Sequence, residues 1–379
     1  MLTPDQFDTL TGPLLELFES YQQSVINDIA RRLVKMGDVT ATAAWQVQRL
    51  SESGAIYGDI LDKLAGVTGR SEAELRRMFA DAGVKAMKFD DAIYRRAGLN
   101  PLPLNLSPAM LDVLAAGLSK TGGIVRNLTL STAISGQNAF IEAADLAYMQ
   151  VSTGTMSYTQ AIREGVKRVA GDGLTVIQYA GRADQLDVAL RRALLTGIGQ
   201  TTGELQMRRA DEMGCDLVQT TAHAGARPAH ALWQGQVFSR SGTHPHYPPF
   251  VETTGYGSPE GLLGINCRHH FYPFFEGVSE PAYDPAELED MAGRTVTYNG
   301  HQMPLYQASQ RQRAIERSIR NAKRQQAALE AAGLNAGPER ARVRDLQARM
   351  REYLKEINAD LKNRDIDWRM QRQREREQI

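Results

Sequence analysis

From Leu14 onward the apolar residues fall at every third or fourth position: Leu14, Leu17, Phe18, Tyr21, Val25, Ile29 and Leu33. That spacing lines one face of an amphipathic helix, and Gly37 marks where it ends. A second helix is expected across Ala41 to Leu50. A third begins at Ser71, where Ser71 and Glu74 have the spacing of a capping box. The run NPLPLNLSP, residues 100–108, places prolines at 101, 103 and 108. Each removes an amide donor and disfavours helix in the residue before it, so the run reads as a linker. Helical spacing resumes in Leu128 to Val151, in Ser157 to Ala170 behind a second capping box of Ser157 and Gln160, and in Ala183 to Met213. Residues 1–213 are therefore expected to be predominantly helical, with no parallel sheet among them.

Between Cys215 and His301 the pattern changes. Gly, Pro, Thr and aromatic residues replace long periodic segments, and CDLVQTT, QVFSR and HHFYPFF are short strand candidates. Helical periodicity returns from Gln307. Within it Val343, Leu346, Met350, Tyr353, Ile357 and Leu361 form the seam of a short coiled coil or bundle helix. The final RMQRQREREQI has no apolar face and is expected to fray. The fold class that follows is α+β, in five segments: an N-terminal helical region (1–99), the Pro-rich linker (100–108), a middle helical region (109–213), a compact α+β module (214–301) and a basic helical or coiled-coil C-terminal region (302–379).

Composition adds three limits. Lys+Arg and Asp+Glu are both 44, so net charge alone marks neither a nucleic-acid-coating nor an acidic protein. The balance is uneven, at +7 beyond residue 301 and −7 before it. Arg313, Arg317, Arg320, Lys323 and Arg324 crowd a few helical turns there and are candidates for binding an anionic partner, against the plainer reading of a solvated helix face. Two cysteines exclude a disulfide framework and fit synthesis in a reducing cytoplasm. The sequence starts without a signal peptide, and no apolar run reaches the roughly 20 residues of a membrane span.

The candidate chemistry is concentrated in the module. All 7 histidines (His223, His230, His244, His246, His269, His270 and His301) and both cysteines lie between residues 215 and 301. Three readings stay open. One is a structural zinc site drawn from Cys215, His223, His230, Cys267, His269 and His270, since thiolates and imidazoles are the ion's usual ligands; beyond that ion no cofactor is expected. Another is acid/base catalysis, with Arg227 or Arg268 stabilising an anion. The third is a hydrogen-bonded scaffold. Gly225 and Pro228 make a continuous helix from His223 to His230 improbable, and there is no CxxC or HExxH, so a metal site would have to be assembled by folding. TGIGQTTG, residues 196–203, has neither GxGxxG spacing nor a preceding strand, and no GxSxG, Walker A or EF-hand sequence is present. The aromatic residues of the module, Trp233 to Phe275, read as core more readily than as base-stacking platforms. Gly235, Gly257 and Gly264 fit turns that need positive φ or close backbone approach, and Asn266 suits a tight loop.

The string HAGARPAHALWQGQVFSRSG, followed by YPPF and TTGYGSPEGLLGINCRHHFYPFFEG, resembles the core of the phage minor capsid protein 2 family. IARRLVKMGDVTATAAWQVQRL, VIQYAGRADQLDVALRRALLTGIGQTTGELQ and YQASQRQRAIERSIRNAKR extend the resemblance over most of residues 1–325. A looser likeness joins HxxARPxH and NCRH to the Mu F-like minor head proteins. The positions that carry over are His223, Arg227, His230, Trp233, Gly235, Gly264, Asn266, Cys267, Arg268 and His269. The resemblance implies a structural minor capsid protein in the head of a tailed phage, present in several copies. It would associate with the portal vertex or capsid interior, and assist assembly or DNA packaging and ejection. Portal protein, major capsid protein and phage DNA are the implied partners, with no membrane. The alternative is a head-carried enzyme, nuclease or ADP-ribosyltransferase-like. That reading requires two or more of His223, Arg227, His230 and His269 to converge on a solvent-accessible pocket.

Overall fold

The computed structural model describes residues 4–37, 42–177 and 183–361. The helical body contains α1 (Pro4–Lys35), α2 (Thr42–Arg96), α3 (Pro108–Ser152), α4 (Tyr158–Asp172) and α5 (Leu186–Glu212). The stripe read from α1 becomes its core face: Leu14, Phe18, Tyr21, Val25, Ile29 and Leu33 are buried and Leu17 packs at the edge. They meet Ile56, Ile60 and Leu64 of α2, Phe140, Ala143 and Ala144 of α3, and Leu190, Leu194 and Ile198 of α5. The Pro-rich run does break the chain between α2 and α3. Ser107 then caps α3, its side chain accepting from the Met110 amide with Pro108 in the first turn, where its missing N–H costs nothing. At α4 the capping box of Ser157 and Gln160 forms in both directions.

The start assigned at Ser71 is corrected by the fold. α2 runs unbroken through that point, and the Ser71 hydroxyl donates back to the Thr68 carbonyl at 2.8 Å while Glu74 pairs with Arg77 on the surface. Gly66 and Gly69 each cost the helix about 1 kcal/mol relative to alanine. The burial of Leu64, Leu75 and Met78 against the body outweighs that local preference.

TGIGQTTG is a helix-packing segment. A Cβ on Gly197 would lie 2.2 Å from the Thr121 hydroxyl of α3, and one on Gly117 would lie 2.0 Å from that of Thr201. The two helices approach closely because each sets a glycine against the other's threonine.

Short strands escape the periodicity argument, because three or four residues show too little alternation. β1 (Thr175–Ile177) and β2 (Ala183–Gln185) pair antiparallel just before α5, so Ala183 begins a strand where helix is expected. The three segments read as strands in the module do pair. β3 (Leu217–Thr220) lies between β4 (Val237–Ser239) and β5 (Phe271–Pro273), all antiparallel, with Val218 opposite both Phe238 and Pro273. Two short helices, α6 (Pro228–Ala231) and α7 (Phe250–Thr254), complete this part. After α8 (Pro285–Gly293), β6 (Thr295–Tyr298) and β7 (His301–Pro304) form an unforeseen hairpin that leads into α9 (Leu305–Ala331).

α9 and α10 (Gly337–Asp360) form a helical hairpin. The seam read from α10 packs on α9, with Val343, Met350, Tyr353, Ile357 and Leu361 buried, and the Tyr353 hydroxyl donates to the Ala308 carbonyl at 2.7 Å. Ala328 and Leu329 at the far end of α9 join the core of the helical body. The rest of α9 and α10 packs in a second apolar cluster, with Ala224, Met291, Val296 and Tyr298. The basic terminal run RMQRQREREQI lies outside the described residues.

Candidate functional site

His230 sits on α6, one turn of helix begun by Pro228 directly after Arg227. Cys267 and His269 lie in the loop entering β5. That loop is tightly folded: a Cβ on Gly264 would stand 2.4 Å from the Pro259 carbonyl oxygen, and Asn266 has φ 56°. Both positions need a residue that tolerates such approach or left-handed backbone. Gly235, at φ 73°, turns the chain after Trp233, and a Cβ there would meet Leu288 at 2.5 Å. The glycines and the asparagine of the motif therefore bring two distant pieces of chain, near 230 and near 267, into contact.

The Cys267 sulfur lies 3.7 Å from the Nδ1 of His230 and 3.7 Å from the Nδ1 of His269. All three side chains are buried, and their ligand atoms lie within 4.8 Å of one another. The far nitrogen of each imidazole is held. His230 Nε2 reaches the Glu260 backbone carbonyl at 2.7 Å and His269 Nε2 reaches Gln234 Oε1 at 3.0 Å. Gln234 Oε1 also accepts from the His223 amide at 3.0 Å. The His223 ring stacks on His269 at 4.3 Å and its Nδ1 faces the Ala224 carbonyl. Trp233 packs edge-on against His269 and tilted against His230. Burial pushes the Cys267 thiol up and the imidazoles down, His223 to about 4 and His269 well below its ordinary value. Neutral rings are what a buried, dry cluster favours.

The other sequence candidates go elsewhere. Cys215 packs with Tyr94 and Ala210, and its thiol donates to the Leu217 carbonyl at 3.3 Å, so it cannot join this group. His270 points the opposite way from its neighbour and stacks on Phe7 of α1 at 4.9 Å. His244 stands beside His246, Tyr247 and Glu276, and His301 is exposed on β7. Arg227 holds the Ile265 carbonyl at 3.1 Å, a loop-bracing bond. The residue the sequence reading passed over is Gln234, whose role depends on a turn that only folding creates.

The described residues do contain a large groove, about 1220 Å³, between α3, α5 and the loop from Tyr256 to Ile265. It is lined by Val113, Ile124, Ala193 and Leu263 with Lys120 and Arg192, and by no histidine. His230 and His269 turn their free nitrogens toward a buried sulfur. The solvent-facing arrangement that the enzyme alternative requires does not occur there.

Arg324 is corrected as an anion-binding candidate. It is 5% exposed, and its guanidinium donates to the Ala170 carbonyl at 3.2 Å and faces Gln185 at 3.4 Å. Arg320 pairs with Asp187 at 3.5 Å, and Glu19 of α1 lies in the field of Arg320, Lys323 and Arg324. Spacing on α9 showed a basic stripe; it did not show that acids of α1 and α5 face part of it. Arg317 is exposed and Arg313 half-buried.

The fold sets a long-helix body beside a small module built on a three-stranded antiparallel sheet. The phage minor capsid protein 2 family matches residues 2–355, and the chain belongs to that family. It is 26% identical over 330 residues to a structural protein of Lactococcus phage LL-H, covering 82% of this chain and 85% of that one. A second structural protein, of Lactococcus phage mv4, is 37% identical over 93 residues, 24% of this chain and 63% of that protein. No solved structure matches. Among the described residues no helix is long and apolar enough to cross a membrane.

Proposed function

We propose that this virion protein is a component of the phage head, seated at or beneath the portal vertex in several copies, where it helps assembly and the passage of DNA. What supports the reading is the family correspondence over residues 2–355, joined to a body with no solvent-facing catalytic group at its densest polar cluster. Portal protein and major capsid protein are its partners. Leu130 and Ile134 stand exposed one turn apart on α3, and an exposed apolar pair of that kind suits contact with another protein. Exposed Arg317 on α9, with half-buried Arg313 a turn away, together with the +7 balance beyond residue 301, suits DNA or an acidic surface of the portal or shell.

The test is cross-linking mass spectrometry on purified tailless heads, followed by imaging of intact particles. Cross-links from this chain to the portal and shell, with density at the portal vertex, are the expected result. Recovery of the chain with tails alone would overturn the head assignment. For the anionic partner, binding of the purified protein to DNA should fall as salt rises, with a slope in log affinity of about −0.9 per neutralised phosphate. Replacing Arg313 and Arg317 with Gln should flatten that slope.

A further inference from the structure

We propose that His230 Nδ1, Cys267 Sγ and His269 Nδ1 are the protein ligands of a structural zinc ion that staples α6 to the loop before β5. The argument starts from hydrogen-bond bookkeeping. A backbone carbonyl only accepts, so the 2.7 Å contact between His230 Nε2 and the Glu260 carbonyl places a proton on Nε2 and leaves Nδ1 with a bare lone pair. Gln234 Oε1 accepts from the His223 amide, which fixes which end of the carboxamide is oxygen; the His269 Nε2 facing that oxygen must carry the proton, and its Nδ1 is bare as well.

Two imidazole lone pairs therefore converge on one sulfur, each at 3.7 Å. A thiol has one proton and can satisfy only one of them. The other would be buried facing sulfur lone pairs, which a folded interior avoids. A cation at the centre removes the conflict: it takes both nitrogen lone pairs and the sulfur, and the thiol proton leaves to solvent as the Cys267–zinc bond forms. The spacing agrees. With Zn–S about 2.3 Å and Zn–N about 2.0–2.1 Å, a tetrahedral angle gives a sulfur–nitrogen edge of about 3.5 Å, close to the edges seen here. The outer bonds agree too, because ligating histidines characteristically donate their second N–H to a carbonyl or amide oxygen, which fixes tautomer and ring orientation. Mixed nitrogen and sulfur donors select zinc over calcium or magnesium. A fourth position is left for water.

The site makes physical sense of the module. Its sheet has strands of three and four residues, too short to hold so many loops by pairing alone, and the ion would join segments that no strand connects.

The experiment uses the full chain. Protein purified without chelator and dialysed should carry about one zinc per molecule, since binding to a site formed only in the folded chain adds to folding free energy. Exchange with Co(II) should give the thiolate-to-cobalt charge-transfer band of a sulfur ligand. Chelation should lower the melting temperature, and zinc should restore it. Cys267→Ser and His269→Gln should each lose the charge-transfer band or the metal, while Cys215→Ser should keep both. Wild-type protein with less than about a tenth of an equivalent of zinc, and no cobalt band on titration, overturns the proposal without reference to any variant. So does a cobalt band that survives Cys267→Ser.

Discussion

The helical body and the module solve the same problem, a stable interior, by different means. In the body, long helices bury rows of aliphatic and aromatic residues in one core from Phe7 to Ala336, and stability is spread over many interchangeable contacts. In the module, short strands and one-turn helices surround Trp233, Phe238, Phe250 and Phe271 with Cys267 among them. Order there depends on individual polar partners: Thr220 on the Trp233 carbonyl, Gln219 on the Gly235 carbonyl at 2.9 Å, Tyr272 on Gln219 at 2.9 Å. Apolar burial is tolerant of small shifts, whereas a satisfied polar core fixes one geometry and loses heavily when a partner goes.

The comparison can be broken most sharply in the body. Phe140 is wholly buried in α3. Phe140→Ala should cost about 3–5 kcal/mol, read as a loss of denaturation midpoint with the far-ultraviolet helical signal retained in dilute buffer. A cost under about 1 kcal/mol would show that the body is loosely packed.

The seam between the two regions offers the next effect. Gln206 of α5 donates both to Asp90 of α2, at 2.9 Å, and to the Phe271 carbonyl of β5, so this carboxyl sits where body and module meet. Burial raises the Asp90 pKa to about 6 from an ordinary 3.8. A carboxyl whose folded pKa is raised binds its proton more tightly in the folded state. Its contribution is therefore fully present below about pH 4 and is lost as pH rises through about 6. Two pKa units correspond to about 3 kcal/mol. Asp90→Asn should remove that slope, so that the variant gains on wild type between pH 4 and 6 in paired melting curves. Parallel curves across that range would show that the carboxyl is solvated.

The smallest effect separates two arginines of one helix. Arg324→Gln should cost about 1–3 kcal/mol, since it orphans the buried Ala170 carbonyl. Exposed Arg317→Gln should stay within about 0.5 kcal/mol, any loss appearing only in partner binding. Equal costs in urea unfolding would mean that α9 does not bridge to the body as described.

Long elements were legible because helical periodicity is a property of local spacing. α1, α5 and the α10 seam lie where apolar rows put them, α3 begins at Pro108, well ahead of the helix read from Leu128, and the capping box at Ser157 works because its partner is three residues away. The identical spacing at Ser71 failed, since continuation of α2 was decided by what its apolar face meets in α1 and α3. In the module the chain showed which residue types were gathered, all histidines and both cysteines within one stretch, and His230, Cys267 and His269 are among the ligands that composition nominated. It could not show that Cys215 and His270 face away, that Gln234 holds the His269 ring and the His223 amide together, or that Arg324 is enclosed.

By itself, then, the sequence determined most of the helices, the change of composition across residues 214–301 and the family resemblance, because these rest on near-neighbour spacing and on ordered motifs. The tertiary structure alone decided which imidazole nitrogens face Cys267 and which basic residues of α9 remain at the surface. Those outcomes depend on where carbonyls, amides and carboxylates from distant segments come to rest, and a side chain's chemistry is set by the partners it meets.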